Sequence, residues 1–480
     1  MREEKVQVVV VGGGPAGLAA SMAAAAAGAE VLLLERGNFS GAKNVIGGIL
    51  FTPPLERLIP GFRQADAPLE RPVARRSFSI LSEGSSADLS FRCGAFADPP
   101  YNGSFTVLRA PFDRWLSKKA EEAGVEIFNG VVVEGLLRDA RGRVTGVKTR
   151  VDEGADSGEG ELFSEVVILA EGANALIAEK EGFRPKMLSN EMAVAVKEVI
   201  ALPEEVIQDR FCLEDAEGEG REYYGEAVAG MFGSGFIYTN RESVSVGVAV
   251  SVADLAKSGL SPNDLLEGFK SHPSIRPLLK SGETVEYSAH MIPEGGYNRM
   301  GRLFADGILV VGDAAGLVNV SPYHEGINLA VASGMAAGET AAEAVAKGDT
   351  SADVMKSYRE RLEESFVLKD LKKFAGFPGY LKENPQLLSV WPGVFLEMLR
   401  EVFTVSGEPK QEMENRAAEM FSREIGVLSF LRTVFQGVGA MDAFHLETVA
   451  PFATILKEGA GSCLNATSFE NLAEYFRRNW

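Results

Sequence analysis

Residues 6–36 constrain this chain more than any other stretch. Val6 to Val11 is a β-branched run that reads as a fully buried parallel strand. Gly12-x-Gly14-x-x-Gly17 follows with no spacer. Leu18 to Ala27 then reads as a small-residue helix, and Val31 to Leu34 as a second buried strand closed by Glu35. Strand, glycine turn, helix, strand and acid in this order form a βαβ dinucleotide fingerprint. The first glycine allows a tight turn, Gly14 lets a pyrophosphate reach the backbone, and Gly17 lets helix and strand pack closely. The amides at the helix start bind diphosphate oxygens. Gly12, Gly14, Pro15, Ala16 and Gly17, with Glu35 and Arg36, are therefore candidate cofactor contacts. Glu35 suits the ribose hydroxyls.

The same stretch is apolar enough to resemble a targeting or membrane segment. A signal peptide starts with a basic region, but Arg2-Glu3-Glu4-Lys5 is neutral overall. A membrane helix would be broken by Gly12-Gly13-Gly14-Pro15. No other stretch reaches about 18 uninterrupted apolar residues, so no spanning helix is expected.

A second segment favours FAD over NAD. Residues 308–316 read ILVVGDAAG, a short buried strand ending in Gly312-Asp313, whose carboxylate can hold a ribityl hydroxyl. Gly326-Ile327-Asn328 then opens a long Ala-rich helix, roughly Gly326 to Ala346. Its first amides can face the flavin pyrimidine carbonyl.

Composition excludes other classes. Of 480 residues, 48 are Lys or Arg and 67 Asp or Glu, a net charge of −19. That argues against nucleic-acid binding and against general attraction to anionic lipid. Three cysteines (Cys93, Cys212 and Cys463) cannot supply an all-cysteine zinc or iron–sulfur site. They suggest no disulfide framework, which fits a reducing compartment. The four histidines show no metal or nucleophile spacing, as expected where a cofactor carries the chemistry.

With these residues in view, the chain resembles the glutathione-reductase-type FAD fold, in the branch that includes p-hydroxybenzoate hydroxylase and geranylgeranyl reductases. VLRAPFDRWL at 107–116 is similar to that branch's arginine-plus-helix element. It implies that Arg109 touches FAD and that Asp113 sets the helix. VVILAEGANA at 166–175 resembles its Asp-Gly segment, with Glu171 in place of Asp beside Gly172. Gly41 to Gly48 (GAKNVIGG) resembles the flavin loop of the electron-transfer flavoprotein–quinone oxidoreductase family, as do 233–250 and 287–316. The nearest subgroup is the one associated with nitrogen fixation and electron bifurcation. The matching segments span residues 6–346. The resemblance adds Lys43, Asn44, Val45 and Val133 to the non-covalent FAD contacts.

One departure from the family carries information. Single-chain relatives hold a 4Fe-4S cluster on four cysteines near the C-terminus, and this chain has only Cys463 there. The resemblance thus implies a separate small ferredoxin-like subunit with that cluster, fed by electron-transfer flavoprotein alpha and beta subunits. It implies a quinone as acceptor, with bifurcation open. Tyr323 and His324, between Asp313 and Gly326, are candidate quinone-site residues, and His324 can give a proton. A helix-end hydrogen bond is the competing role for His324. Gly437 to Asp442 mimics half a fingerprint with no strand before it, so delivery of electrons by a protein is favoured over NAD(P)H.

The expected fold is α/β: a discontinuous FAD-binding domain at 1–75, 105–180 and 285–350, an antiparallel-sheet substrate domain at 76–104 and 181–284, and a helical region at 351–480. Strands are expected near 192–200 and 235–250. The acidic stretches 154–161 and 214–222 read as solvated loops. Leu387, Leu388, Trp391, Val394, Phe395, Met398, Leu399, Val402 and Phe403 share one helical stripe. It fits either core and subunit contact or, with residues from Phe374 on, a peripheral membrane contact over 374–403. The expected location is cytoplasmic, against the inner face of the cell membrane. Two alternatives to quinone reduction stay open: an isoprenoid reductase of the geranylgeranyl type, and an electron-relay subunit without its own substrate. The Tyr-x-Trp-x-Phe-Pro motif of the isoprenoid reductases is replaced here by Gly235 to Asn240. An aromatic monooxygenase would need NAD(P)H and oxygen.

Overall fold

The computed structural model describes residues 5–43, 47–151 and 158–441. Asn44 and Val45, and with them Cys463, lie outside these residues.

The Val-rich run at Val6–Val11 is the centre of a parallel sheet. It pairs with Val31–Glu35 on one side and with Gly158–Leu169 on the other. Glu126–Asn129 and Ile308–Val310 extend the sheet in parallel, and Phe304–Ala305 adds an antiparallel edge. Val8, Val9 and Val10 are wholly buried, which is why the run does not alternate. The long strand Gly158–Leu169 serves two sheets. Its first half pairs antiparallel with Val144–Val151, which pairs in turn with Val131–Arg138.

Two small-residue helices, Pro15–Ala26 and Ile327–Lys347, lie against each other on this sheet. A Cβ on Gly334 would stand 2.1 Å from the Ala16 carbonyl oxygen, and one on Gly338 would stand 2.2 Å from that of Ala20. Only glycine permits this approach, so the Ala/Gly richness of both helices is a packing requirement.

The second sheet has nine strands. Its order is Glu283–Pro293, Met192–Ala201, Ser243–Ser251, Gly233–Thr239, Gly218–Gly225, Leu69–Ser82, Ser104–Val107 and Ile49–Phe51, with Ser85–Arg92 beside Leu69–Ser82. All neighbours are antiparallel except Gly218–Gly225 and Leu69–Ser82. The strands expected near 192–200 and 235–250 are present. The expected divisions at 75/76, 104/105 and 284/285 each fall inside a strand of this sheet, so the second unit takes more of the chain. Alternation sorts its faces. Val194 and Val196 pack towards Leu265, Leu266 and Phe269, whereas Ala195, Phe236, Tyr238 and Ile292 form a separate group on the opposite face.

One expectation is overturned here. The loop expected at 214–222 is solvated only over 214–216: Glu219 and Glu222 lie on the strand Gly218–Gly225 and are buried, and Glu217 just before it is buried too. Arginines on the same and neighbouring segments offset the cost of burying these charges. Arg221 and Ser77 hold Glu219, Arg92 holds Glu217, and Arg76 holds Glu222.

Beyond residue 350 the described chain is helical. Ala352–Glu364 and Phe366–Lys373 pack Met355, Tyr358, Leu362, Val367 and Leu371 into the core of the parallel sheet. In Trp391–Phe403, Pro392 and Leu396 are buried, but Phe395 and Phe403 are exposed, Phe403 by 76%. The apolar stripe is therefore not a buried core. Among the described residues no helix is long and apolar enough to cross a membrane, and no His, Cys, Asp or Glu cluster could hold a metal.

Candidate functional site

A cavity of about 520 Å³ lies between the C-terminal ends of the parallel strands and the second sheet. This is where an open α/β sheet binds ligands. The glycine turn forms one wall. Gly12 has φ +110°, and a Cβ there would stand 2.3 Å from the Ala170 carbonyl oxygen. A Cβ on Gly17 would stand 1.9 Å from the Gly12 carbonyl oxygen. Nothing lies within 4 Å of a Cβ on Gly14, which lines the cavity. Gly14 is also the N-cap of Pro15–Ala26, and no side chain caps that helix. Its first amides are thus left for an anion. Pro15 and Ala16 line the cavity beside it.

Glu35 is held in place by the turn. Its Oε2 accepts the Gly13 N–H at 2.7 Å and its Oε1 accepts the Gly37 N–H at 2.6 Å. Each oxygen keeps a lone pair for a ribose hydroxyl. Arg36, Lys43 and Val133 line the same cavity. Arg109 makes a bidentate pair with Asp113, with Nε–Oδ1 at 2.9 Å and Nη2–Oδ2 at 2.8 Å, and both residues line the cavity. Glu171 and Gly172 line it too, but the Glu171 carboxylate accepts the Ile177 and Ala178 amides, each at 2.9 Å. It caps the short turn Leu176–Lys180, a task its extra methylene reaches.

Just past the C-terminal end of Ile308–Val310, Asp313 lines the cavity with Gly326 and Ile327. Burial pushes the Asp313 carboxyl up, against the opposing pull of Arg109 and Arg184. The helix Ile327–Lys347 has no side-chain cap, and Gly326 stands open before it. Gly17, Gly312 and Asn328 do not line the cavity; they shape it. Gly312 donates its N–H to Ser333, and Asn328 donates Nδ2–H to Glu325 at 2.8 Å.

These features fit FAD. An uncapped helix start beside an open glycine matches a diphosphate, Glu35 a ribose, Asp313 a ribityl chain, and the second uncapped helix start a flavin carbonyl.

Tyr323 and His324 close the same cavity. The Tyr323 ring is 5.7 Å from that of Phe374 and more than half exposed. His324 has φ +48°, and its Nδ1 lies 3.5 Å from Glu222 Oε2, so the imidazole reaches across to another sheet rather than back to a helix end. Glu222 also accepts from Arg76 Nη2 at 3.1 Å and from the Tyr224 hydroxyl at 2.9 Å. Burial would raise Glu222, but His324, then Arg76 and Tyr224, hold it below the usual carboxylate range. Burial would lower His324, but Glu222 and then Glu294 hold it above the usual imidazole value. Burial pushes Glu294 up to about 7, despite His324 and Lys382. His290, also on the wall, is pushed down to about 4 by burial, then by Arg109 and Arg36, and is neutral.

Glu222, Tyr224, Arg76, Glu294 and His290 escaped the sequence reading. His290 and Glu294 lay inside a family-like segment but had no spacing signal. Pro378, Leu381, Lys382 and Leu388 bring the C-terminal helices to the cavity rim.

Known proteins resemble this chain along nearly its whole length. Residues 7–166 match the family described as FAD dependent oxidoreductase, and residues 377–442 match the ETF-QO/FixC family C-terminal domain. Protein FixC of Azorhizobium caulinodans is 43% identical over 423 residues, covering 88% of this chain and 95% of its own. YdiS of Escherichia coli, a probable electron transfer flavoprotein-quinone oxidoreductase, is 39% identical over 442 residues, covering 92% of this chain and 100% of its own. Among solved structures, a geranylgeranyl bacteriochlorophyll reductase-like protein of Thermoplasma acidophilum superposes with a TM-score of 0.66 at 18% identity. That superposition covers 93% of this chain and 99% of the other. The myxobacterial halogenase CndH gives 0.61 at 19% identity, covering 92% and 98%. At such identities the likeness is one of fold.

Proposed function

Since the chain belongs to the ETF-QO/FixC family of FAD-dependent oxidoreductases, we propose that it reduces a quinone with electrons from an electron-transfer flavoprotein. A separate ferredoxin-like subunit carrying a 4Fe-4S cluster relays them. When bound, FAD supplies exchange of either one or two electrons. Everything else in the reaction falls to this chain's residues. Gly14, Pro15, Ala16, Glu35, Arg36, Lys43, Arg109, Val133 and Asp313 hold and orient the cofactor. The uncapped start of Ile327–Lys347 favours negative charge near it.

Reducing a quinone to its quinol takes two electrons and two protons. The observation that carries the reading is a pair of acids, His324 and Glu294, on the wall of the cavity that also holds Asp313 and Gly326. His324 gives one proton to a quinone oxygen and Glu294 gives the other. Pro378, Leu381 and Leu388 offer an apolar rim for the quinone ring, beside Tyr323. The exposed Phe395 and Phe403 on the neighbouring helix support a peripheral membrane contact, at the inner face of the cell membrane, through which a lipid-soluble quinone would enter.

Anaerobic photoreduction of the FAD-loaded protein, followed by titration with short-chain ubiquinone and menaquinone analogues, tests the reading. Stoichiometric reoxidation of the flavin by either quinone is expected. A flavin that stays reduced with both would overturn it. Copurification with a small Cys-rich chain and two flavoprotein subunits tests the electron source, and their consistent absence would remove it.

A further inference from the structure

We propose that Glu222 is the positioning residue for the quinone site: it fixes the ring of His324 and its charge so that one imidazole nitrogen faces the cavity as a proton donor. The inference rests on the quinone-reducing reading and adds a residue to it.

The geometry is that of an acid orienting an imidazole from behind. Nδ1 of His324 faces Glu222 Oε2 at 3.5 Å, which leaves Nε2 for the cavity that His324 lines. Glu222 is itself immobilised. It sits on the strand Gly218–Gly225 with its side chain 3% exposed, and it is held by Arg76 from the neighbouring strand and by Tyr224 two residues on. His324, by contrast, sits in a left-handed turn between Ser321 and Glu325, stabilised by its own N–H donated to the Ser321 carbonyl oxygen. A strained loop residue paired with a buried strand residue is oriented by the strand.

The charged groups around the imidazole come from four directions. Glu222 and Arg76 lie on the second sheet, and Glu294 lies just after the strand Glu283–Pro293. Glu325 follows on the same loop but is taken up by Asn319 and Asn328. Lys382, from the helix Phe377–Glu383, acts on Glu294. Glu222 is the largest influence favouring the imidazolium, ahead of Glu294. Without it, only Glu294 would oppose burial and Arg76, and the imidazolium would be less favoured.

Bound FAD would supply the two electrons, and this chain's residues supply the two protons. One proton leaves His324 Nε2 for a quinone oxygen and one leaves the Glu294 carboxyl for the other. Both groups are reprotonated from solvent, to which the His324 side chain is 41% exposed.

The experiment follows flavin reoxidation by a short-chain quinone against pH, in FAD-loaded wild type, Glu222→Gln, Glu222→Asp and His324→Gln. The wild-type rate should fall at high pH as His324 and Glu294 lose their protons. In Glu222→Gln that fall should move down by about one pH unit, about tenfold in rate on the alkaline side, while Glu222→Asp restores most of it. In parallel, ¹⁵N-histidine NMR, assigned with His324→Gln, should show the His324 titration moving down in Glu222→Gln. An unmoved titration or an unmoved rate profile in a Glu222→Gln protein with a native flavin spectrum overturns the inference. If the wild type does not reduce quinone at all, the functional reading fails instead, whatever the NMR shows.

Discussion

Two glycines three residues apart do different work, and alanine separates them. Gly14 has φ −81° and ψ 179°, open to any L-residue, with free space where a methyl would go. Gly14→Ala should melt like the wild-type apoprotein but bind FAD about tenfold more weakly, about 1.4 kcal/mol. Gly17→Ala puts a methyl against the Gly12 carbonyl and should cost the apoprotein about 1–3 kcal/mol of stability. Thermal melts and flavin-fluorescence titrations of both variants check this; equal losses in the two would refute the division of labour. Glu294 offers a pH signature. Its carboxyl sits at about 7 when folded, against an unfolded value near 4.5. Between these values the folded chain keeps a proton that the unfolded chain loses, so stability falls as pH rises through the window. Glu294→Gln should flatten that fall and gain on the order of 2 kcal/mol at pH 8, as read by denaturant melts across pH. The glycine turn was legible because backbone geometry dictates its residues locally. Glu222 was not: a Glu in an acidic, Gly-rich stretch reads as solvated, and its burial depends on Arg76, 146 residues away in sequence.

Among the elements, the pair of small-residue helices sets the distance between the two ends of the cofactor site. Pro15–Ala26 begins at the end proposed for the diphosphate and Ile327–Lys347 at the end proposed for the flavin. Gly338→Val would force the helices apart at Ala20, where a Cβ already has only 2.2 Å. We expect a loss of about 1–3 kcal/mol and weaker FAD retention, although residue 338 does not line the cavity. Dialysis followed by absorbance at the flavin band measures the retention; normal flavin content would show that the helix pair is not a spacer. These two helices and the strands Val6–Val11, Val31–Glu35 and Ile308–Val310 could be read from local pattern; Glu126–Asn129 and Gly158–Leu169 could not. Nor could the extent of the second sheet. Leu69–Ser82 joins it through a parallel pairing with Gly218–Gly225, and nothing local announces so distant a partner.

For the molecule as a whole, charge and apolar exposure pull against each other. A net charge of −19 repels an anionic bilayer, while Phe395, Phe403, Leu428 and Phe430 stand exposed on the C-terminal helices. The protein should therefore float with zwitterionic vesicles more than with anionic ones at low salt, and the gap should close at high salt as the charge is screened. Flotation unaffected by Phe395→Glu with Phe403→Glu would exclude this face. The cavity wall, finally, is assembled from the parallel sheet, the second sheet and the C-terminal helices together. A ligand filling it recognises only the arrangement in which all three are native, so its binding free energy is shared among units that could otherwise melt separately. Calorimetry should show the empty chain unfolding in more than one transition and the loaded chain in a single, sharper one at higher temperature. In a cell the cofactor would then act as a quality mark: chains that never receive it are the ones that open, and the ones that proteases remove.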